Sequence, residues 1–295
     1  KEKTTAFAAV SFDDLKNADK TPNVWLTYGG TYDEQRFSRR NKISTENVTE
    51  LGVAWTYELS TNRGVESTPI VIDGVMYVTS AWSVLHALDA KTGKELWVYD
   101  PEADRAVGVN ACCDVVNRGV AVYDGKIYLG VIDGRLEAID AKTGKVVWSK
   151  ITVDQTKPYT ITGAPRVVDG KVLIGNGGAE LGVRGYLSAY DAETGDMVWR
   201  FYTAPNAEKK PDGAASDSAF EKVANVTWGD EGNWKESGGG GTVWDSIVYD
   251  KVNDLIIFGV GNGSPWNQRL RDPSAKDNLF LSSIVAVKPD TGEYV

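Results

Sequence analysis

The chain has 295 residues, 42 % of them hydrophobic, with ten Trp, thirty-one Gly and a formal net charge of −9 from 32 basic and 41 acidic side chains. That composition is too apolar and too aromatic for a disordered chain. The absence of a long basic run argues against a nucleic-acid partner, and no apolar stretch is long enough to span a membrane. A single His and two Met leave no His-rich metal centre, and no C-x-x-C-H haem attachment occurs in this stretch.

The opening residues, Lys1 through Thr5, have neither an initiator Met nor an apolar signal core and read as a processed or trimmed terminus. Residues 74–79 and 84–88 alternate or run apolar and read as strands. The Thr92-Gly93 pair then makes a tight turn, and Glu95 to Tyr99 is the outgoing strand. This unit repeats. Ala87-Leu88-Asp89-Ala90-Lys91-Thr92-Gly93, ending at Trp97, recurs from Ala138 to Trp148 and from Ala189 to Trp199. The three Trp recur every 51 residues (148 − 97 and 199 − 148). A further copy starts at Ala286 and reaches Tyr294-Val295 without its Trp. Short strands at regular spacing with one Trp per unit predict an all-β protein, a β-propeller of four-stranded blades, in which the Trp packs between neighbouring blades. The stretch from about residue 204 to 241 breaks the pattern and reads as an insertion of the kind that builds a functional face.

The only cysteines, Cys112 and Cys113, are adjacent. Two readings stand for them: a pair of reduced, partly buried thiols, or a ring disulfide that strains its own peptide and persists only where the surroundings over-determine it. Gly175 to Glu180 (GNGGAE), 238–245 (GGGGTVWD) and 261–266 (GNGSPW) are the other segments that depart from plain strand patterning.

These segments together resemble the quinoprotein alcohol dehydrogenases that carry pyrroloquinoline quinone. The Ala-x-Asp-x-x-Thr-Gly-x-x-x-Trp repeat is similar to the family's docking motif. The stretch Cys112-Cys113-Asp114-Val115-Val116-Asn117-Arg118-Gly119 is similar to its adjacent-cysteine segment. Trp25, Gly29, Phe37-Ser38, Asn47-Val48 and Leu51 keep the family's opening spacing, while Val24, Gly30 and Ser44 depart from it. The quadruple Gly before Thr-Val-Trp-Asp places the likeness nearest the quinohaemoprotein (type II) branch.

The resemblance implies an eight-bladed propeller of which residues 1–295, as the N-terminal half of one domain, cover about four blades. It implies oxidation of an alcohol to an aldehyde or ketone with bound pyrroloquinoline quinone and calcium. The implied quinone contacts are Glu66, Cys112, Cys113, Arg118, Thr162, Gly178, Ala179, Thr242 and Trp244. Trp244 would be the floor beneath the flat ring, and a Cys112–Cys113 disulfide the ceiling. Glu180 and Asn262 are the implied calcium ligands. The general base, an Asp in the family, is expected beyond Val295, as is haem c in an additional domain of the quinohaemoprotein branch. A cytochrome c-type electron acceptor and a periplasmic location follow from the same likeness. The competing reading is a non-catalytic propeller scaffold of the outer-membrane assembly type, or another quinoprotein dehydrogenase. The combination of adjacent cysteines, GGAE and GTVW disfavours both.

Overall fold

The computed structural model describes residues 7–295. Its first sheet joins β1 (Ile70–Ile72), β2 (Val75–Thr79), β3 (Leu85–Asp89) and β4 (Glu95–Tyr99), each antiparallel to the one before. The second joins β5 (Val120–Tyr123), β6 (Lys126–Gly130), β7 (Arg135–Asp140) and β8 (Val146–Ile151) in the same order. The third joins β9 (Arg166–Val168), β10 (Lys171–Gly175), β11 (Tyr186–Asp191) and β12 (Met197–Tyr202). The fourth has three strands, β13 (Ile247–Asp250), β14 (Leu255–Gly259) and β15 (Ile284–Val287), with Tyr294 bridging back to Val287. The propeller of meandering blades is therefore present, with three four-stranded sheets and a fourth unit of three strands.

The 51-residue period is also a period of contacts. Ala87, Ala138 and Ala189 pair across their sheets with Trp97, Trp148 and Trp199, and each ladder shifts register one residue later. Tyr77 donates to Ala141 O at 2.9 Å, and its repeat mate Tyr128 donates to Ala192 O at 3.0 Å. Each Trp lies against the Gly turn of the following unit. A Cβ added at Gly144 would stand 2.8 Å from the Trp97 ring, at Gly195 2.8 Å from Trp148, and at Gly292 2.6 Å from Trp199. Only glycine lets the indole approach that closely. The indole N–H groups of Trp148 and Trp199 donate to Ala192 O and Pro289 O of the next turn. Trp55, which lies outside the 51-residue register, packs the same way on Gly93 and donates to Ala90 O. It is a fourth docking Trp that the repeat alone did not reveal.

Helices lie off the sheets. Short α1 (Phe12–Lys16) starts at Ser11, whose hydroxyl and the Asp14 carboxylate form a capping box. The insertion is more ordered than its Gly-rich sequence suggested, with α2 (Asp217–Thr227) and α3 (Trp234–Ser237) inside it. Ala219, Phe220 and Ala224 recur at helical spacing and bury the inner face of α2 in the main core. Trp228 and Trp234 pack with centroids 4.9 Å apart and their planes tilted by 56°, and form a second, small core with Ala204 and Leu281.

Candidate functional site

Loops at the ends of the sheets enclose a cavity of about 210 Å³. One side is the segment between β4 and β5. Cys112 and Cys113 are disulfide-bonded to each other and line the cavity, so the ring reading stands over the reduced-thiol one. The next residues explain why this segment holds its course. Asp114 accepts from the backbone N–H of Gly64 (3.0 Å) and pairs with Arg63 (2.8 Å). The backbone N–H groups of Gly64 and Val115, together with the Arg63 guanidinium, hold its carboxyl below the usual carboxylate range. Asn117 is buried; its amide donates to Gly130 O (2.8 Å) and its oxygen accepts from Gly119 N (2.9 Å). Between these two anchors Arg118 has little freedom.

Arg118 reaches the cavity with its fork occupied on both edges. It donates to the Thr162 hydroxyl oxygen at 2.7 Å and pairs with Glu66 at 2.8 Å. Its guanidinium carbon lies 5.0 Å from the centre of the Trp244 ring. Receiving that bond leaves the Thr162 hydroxyl its own proton for an acceptor in the cavity. Trp244, 47 % exposed, offers an indole that no neighbouring blade covers, unlike the docking Trp. Asp245, its sequence neighbour, is not among the lining residues and stands 3.7 Å from the buried Arg166.

The opposite stretch brings oxygen ligands. Glu180 sits on the 3₁₀ turn Ala179–Leu181, reached through Gly177 and Gly178, and lines the cavity. Asn262 lines it from the loop after β14. The Asn262 amide N–H donates to Gly263 O (3.3 Å), and among the described residues no donor reaches its side-chain oxygen. Likewise no basic side chain among them pairs with Glu180. An unpaired carboxylate and a free amide oxygen lining the same cavity suit a hard cation. No group of three or more His, Cys, Asp or Glu among the described residues could hold a metal, so any cation here takes further oxygens from another source. A bound quinone with carboxylate and carbonyl oxygens is such a source, and the donor set fits it.

Of the residues singled out in the sequence, Cys112, Cys113, Arg118, Thr162, Gly178, Glu180, Thr242, Trp244 and Asn262 line this one cavity. Two do not. Glu66 acts on it through Arg118, which supplies the donor a carboxylate needs beside an anion site. Ala179 is fully buried behind the Glu180 turn. Asp114, Val116 and Thr160 line the cavity without having been singled out. Asp114 was legible as the residue after the cysteines, whereas buried Thr160 carries no signal of its own.

Residues 25–295 match the family described as PQQ, glucose/ethanol/alcohol dehydrogenase, beta-propeller domain. The chain is 58 % identical over 280 residues to the dehydrogenase subunit of a quinone-type alcohol dehydrogenase from Gluconobacter oxydans, covering 93 % of this chain and 37 % of that protein. It is 58 % identical over 279 residues to the quinohemoprotein alcohol dehydrogenase ADH-IIG of Pseudomonas putida, covering 94 % of this chain and 38 % of that one. The crystal structure of a quinohemoprotein alcohol dehydrogenase from Comamonas testosteroni superposes with a TM-score of 0.93 at 52 % identity, over 98 % of this chain and 43 % of that one. The chain thus spans about two-fifths of the length of the relatives it matches. Among the described residues no helix is long and apolar enough to cross a membrane. With its seams of Trp on Gly and a cavity lined by the paired cysteines, Arg118 and Trp244, the chain belongs to the PQQ-dependent alcohol dehydrogenase β-propeller family.

Proposed function

We propose that this chain forms part of an enzyme that oxidises alcohols to aldehydes or ketones with bound pyrroloquinoline quinone and calcium. One observation carries the reading: a cation (Arg118), an uncovered indole (Trp244), a carboxylate (Glu180) and an amide oxygen (Asn262) all face one cavity. Held by Arg118, Trp244 and the Cys112–Cys113 ring, a bound quinone would supply a hydride acceptor, and a cation held by Glu180 and Asn262 would supply Lewis-acid polarisation.

The chain's own side chains have separable tasks. Trp244 supplies a flat apolar face, and the Cys112–Cys113 ring the other. Arg118 holds a carboxylate of the cofactor, aligned by Glu66 and Thr162 so that no rotamer search precedes binding. Thr162 and Thr242 donate hydroxyl protons around the rim. Glu180 and Asn262 hold the cation. Asp245 is not the proton acceptor, because its carboxylate faces Arg166 outside the cavity. The disulfide fits an oxidising compartment, and for a protein with bacterial relatives that supports a periplasmic location. Electrons then leave to a cytochrome c-type acceptor, as the quinohemoprotein names of the relatives suggest.

The test uses the full-length protein, freed of quinone and metal by dialysis against a chelator. Adding both should restore alcohol oxidation measured with an artificial electron acceptor, and adding either alone should not. Activity that survives removal of both would overturn the reading.

A further inference from the structure

Residues 238–241 are four consecutive glycines that pass between the turn carrying Glu180 and the loop carrying Asn262. They are hydrogen-bonded to both. On the Glu180 side, Gly240 N donates to Val183 O at 3.0 Å and Gly185 N donates to Gly240 O at 2.8 Å. On the Asn262 side, Gly241 N donates to Asn262 O at 2.8 Å and Ser264 N donates to Gly239 O at 3.0 Å. Gly240 forms a β-bridge with Arg184 in one direction and with Gly263 in the other. Ser237, immediately before the run, joins the same two loops. Its hydroxyl donates to Ser264 O at 2.8 Å, and a Cβ at Gly182 would lie 3.4 Å from its side chain.

The run leaves no room for anything thicker than backbone. All four residues have φ between +74° and +81°. A Cβ at Gly238 would stand 2.6 Å from Arg184 N and 2.8 Å from the carbonyl carbon of Val183, all on the Glu180 side. A Cβ at Gly240 would stand 2.6 Å from Ser264 N and 2.7 Å from Asn262 O, all on the other side. Ordinary contact begins at 3.4 Å. Either methyl therefore drives one loop away from the other by most of an ångström.

We propose that residues 237–241 are a positioning strap that sets the separation of Glu180 and Asn262, and with it the affinity of the site for its cation. The proposal rests on the reading that these two residues hold that cation. Cation–oxygen distances for calcium are confined to about 2.3–2.6 Å, and site geometry tolerates errors of only about 0.5 Å. A strap one backbone thick is the narrowest spacer that a polypeptide can place between two ligand loops. It tethers both by hydrogen bonds, so neither loop drifts when the site is empty. The strap continues directly into Thr242 and Trp244, so the same span that spaces the metal ligands also delivers the aromatic face.

The experiment compares Gly238→Ala, Gly240→Ala and Ser237→Ala in the full-length protein with Gly213→Ala. Gly213 lies in the same insertion with φ +81° and nothing within 4 Å of a Cβ, so it reports the cost of left-handed strain alone. Calcium retained after dialysis against graded chelator is measured by elemental analysis, alongside the thermal midpoint. Gly238→Ala and Gly240→Ala should lose about 10- to 100-fold in calcium affinity, the range for residues that orient ligands without touching the metal. Ser237→Ala removes one hydroxyl without strain and should lose about fivefold. Gly213→Ala should retain calcium as the parent does. If the two glycine variants do not fold, Ser237→Ala decides the matter. Retention in Ser237→Ala and in every folded strap variant equal to Gly213→Ala overturns the strap. Glu180→Gln, run in parallel, separates the two failures. If it too retains calcium, the metal assignment is wrong, and if it alone loses calcium, only the strap is.

Discussion

The guanidinium of Arg118 lies 5.0 Å from the centre of the Trp244 ring, so the cation and the aromatic face of the cavity are one packed unit. Replacing Arg118 with Lys keeps the charge but loses the fork that meets Glu66 and Thr162 together. Charge-assisted hydrogen bonds contribute about 1.5–3 kcal/mol. Arg118→Lys should therefore weaken quinone binding by about 10- to 100-fold, read from reconstitution titrations of the full-length apoprotein. Binding equal to that of the parent would remove Arg118 from the cofactor site.

Glu180→Gln keeps the shape of the side chain and removes a charge from a site that needs several oxygen donors. It should lower bound calcium and alcohol turnover together while the circular dichroism spectrum stays that of the parent. Glu221, exposed on α2, is the matched control. Equal metal content and equal turnover in the two variants would refute the ligand role.

Trp199 is 6 % exposed, stacks on the Gly292 turn and donates to Pro289 O at 2.9 Å. Trp199→Ala opens a cavity and orphans that carbonyl, a loss of about 3–5 kcal/mol. Trp199→Phe keeps much of the apolar contact and loses the hydrogen bond, about 1 kcal/mol. Chemical denaturation of the two variants should show this order. A Phe variant as unstable as the Ala variant would mean that the donor, not the ring, holds the seam.

His86 is buried between the Tyr57 hydroxyl, 3.3 Å from Nδ1, and the Ser80 hydroxyl, 3.2 Å from Nε2, with Glu95 beyond Tyr57. Burial pushes the imidazole below its usual range, against the opposing pull of Glu95. The fold thus favours the neutral ring, and the unfolded chain binds more protons. Stability should fall as pH drops through the unfolded value of about 6.5 and be fully present above it. In thermal melts from pH 8 to pH 5, His86→Gln should flatten that part of the profile. An unchanged slope would place the pH dependence elsewhere.

The repeat was legible because every seam needs a Gly to make room and a Trp to fill it, and because an Asp fixes the turn in three of the four copies, Lys288 standing at that place in the last. Asp89 and Asp140 each accept from the Thr three residues later. Trp55 escaped because no copy of the turn motif precedes it in its own unit, the first copy being the turn on which it packs. Helix α2 escaped because Gly-rich flanks concealed a short amphipathic stretch. Most of the cavity was legible through a likeness of several motifs, since one Glu and one Asn far apart in the chain carry no signal by themselves. Glu137 shows the limit. The repeat gives it no site role, yet it is 1 % exposed and joins Tyr99, Arg135 and Ser149 across two sheets. Nothing in one strand's pattern foretells a buried hub whose partners come from its neighbours.

The seam of Trp on Gly spans 47 residues between Trp97 and Gly144 and again between Trp148 and Gly195, but 93 between Trp199 and Gly292 (144 − 97, 195 − 148, 292 − 199). The contact is the same in all three. Adjacent units recognise each other through one ring and one turn, and that recognition is blind to how much polypeptide is looped out between them. Architecture and chemistry are thereby uncoupled. Segments between the joints can lengthen, acquire helices or rebuild a binding wall while the joints themselves register no change, so new specificities can be explored by editing loops at little risk to the ring.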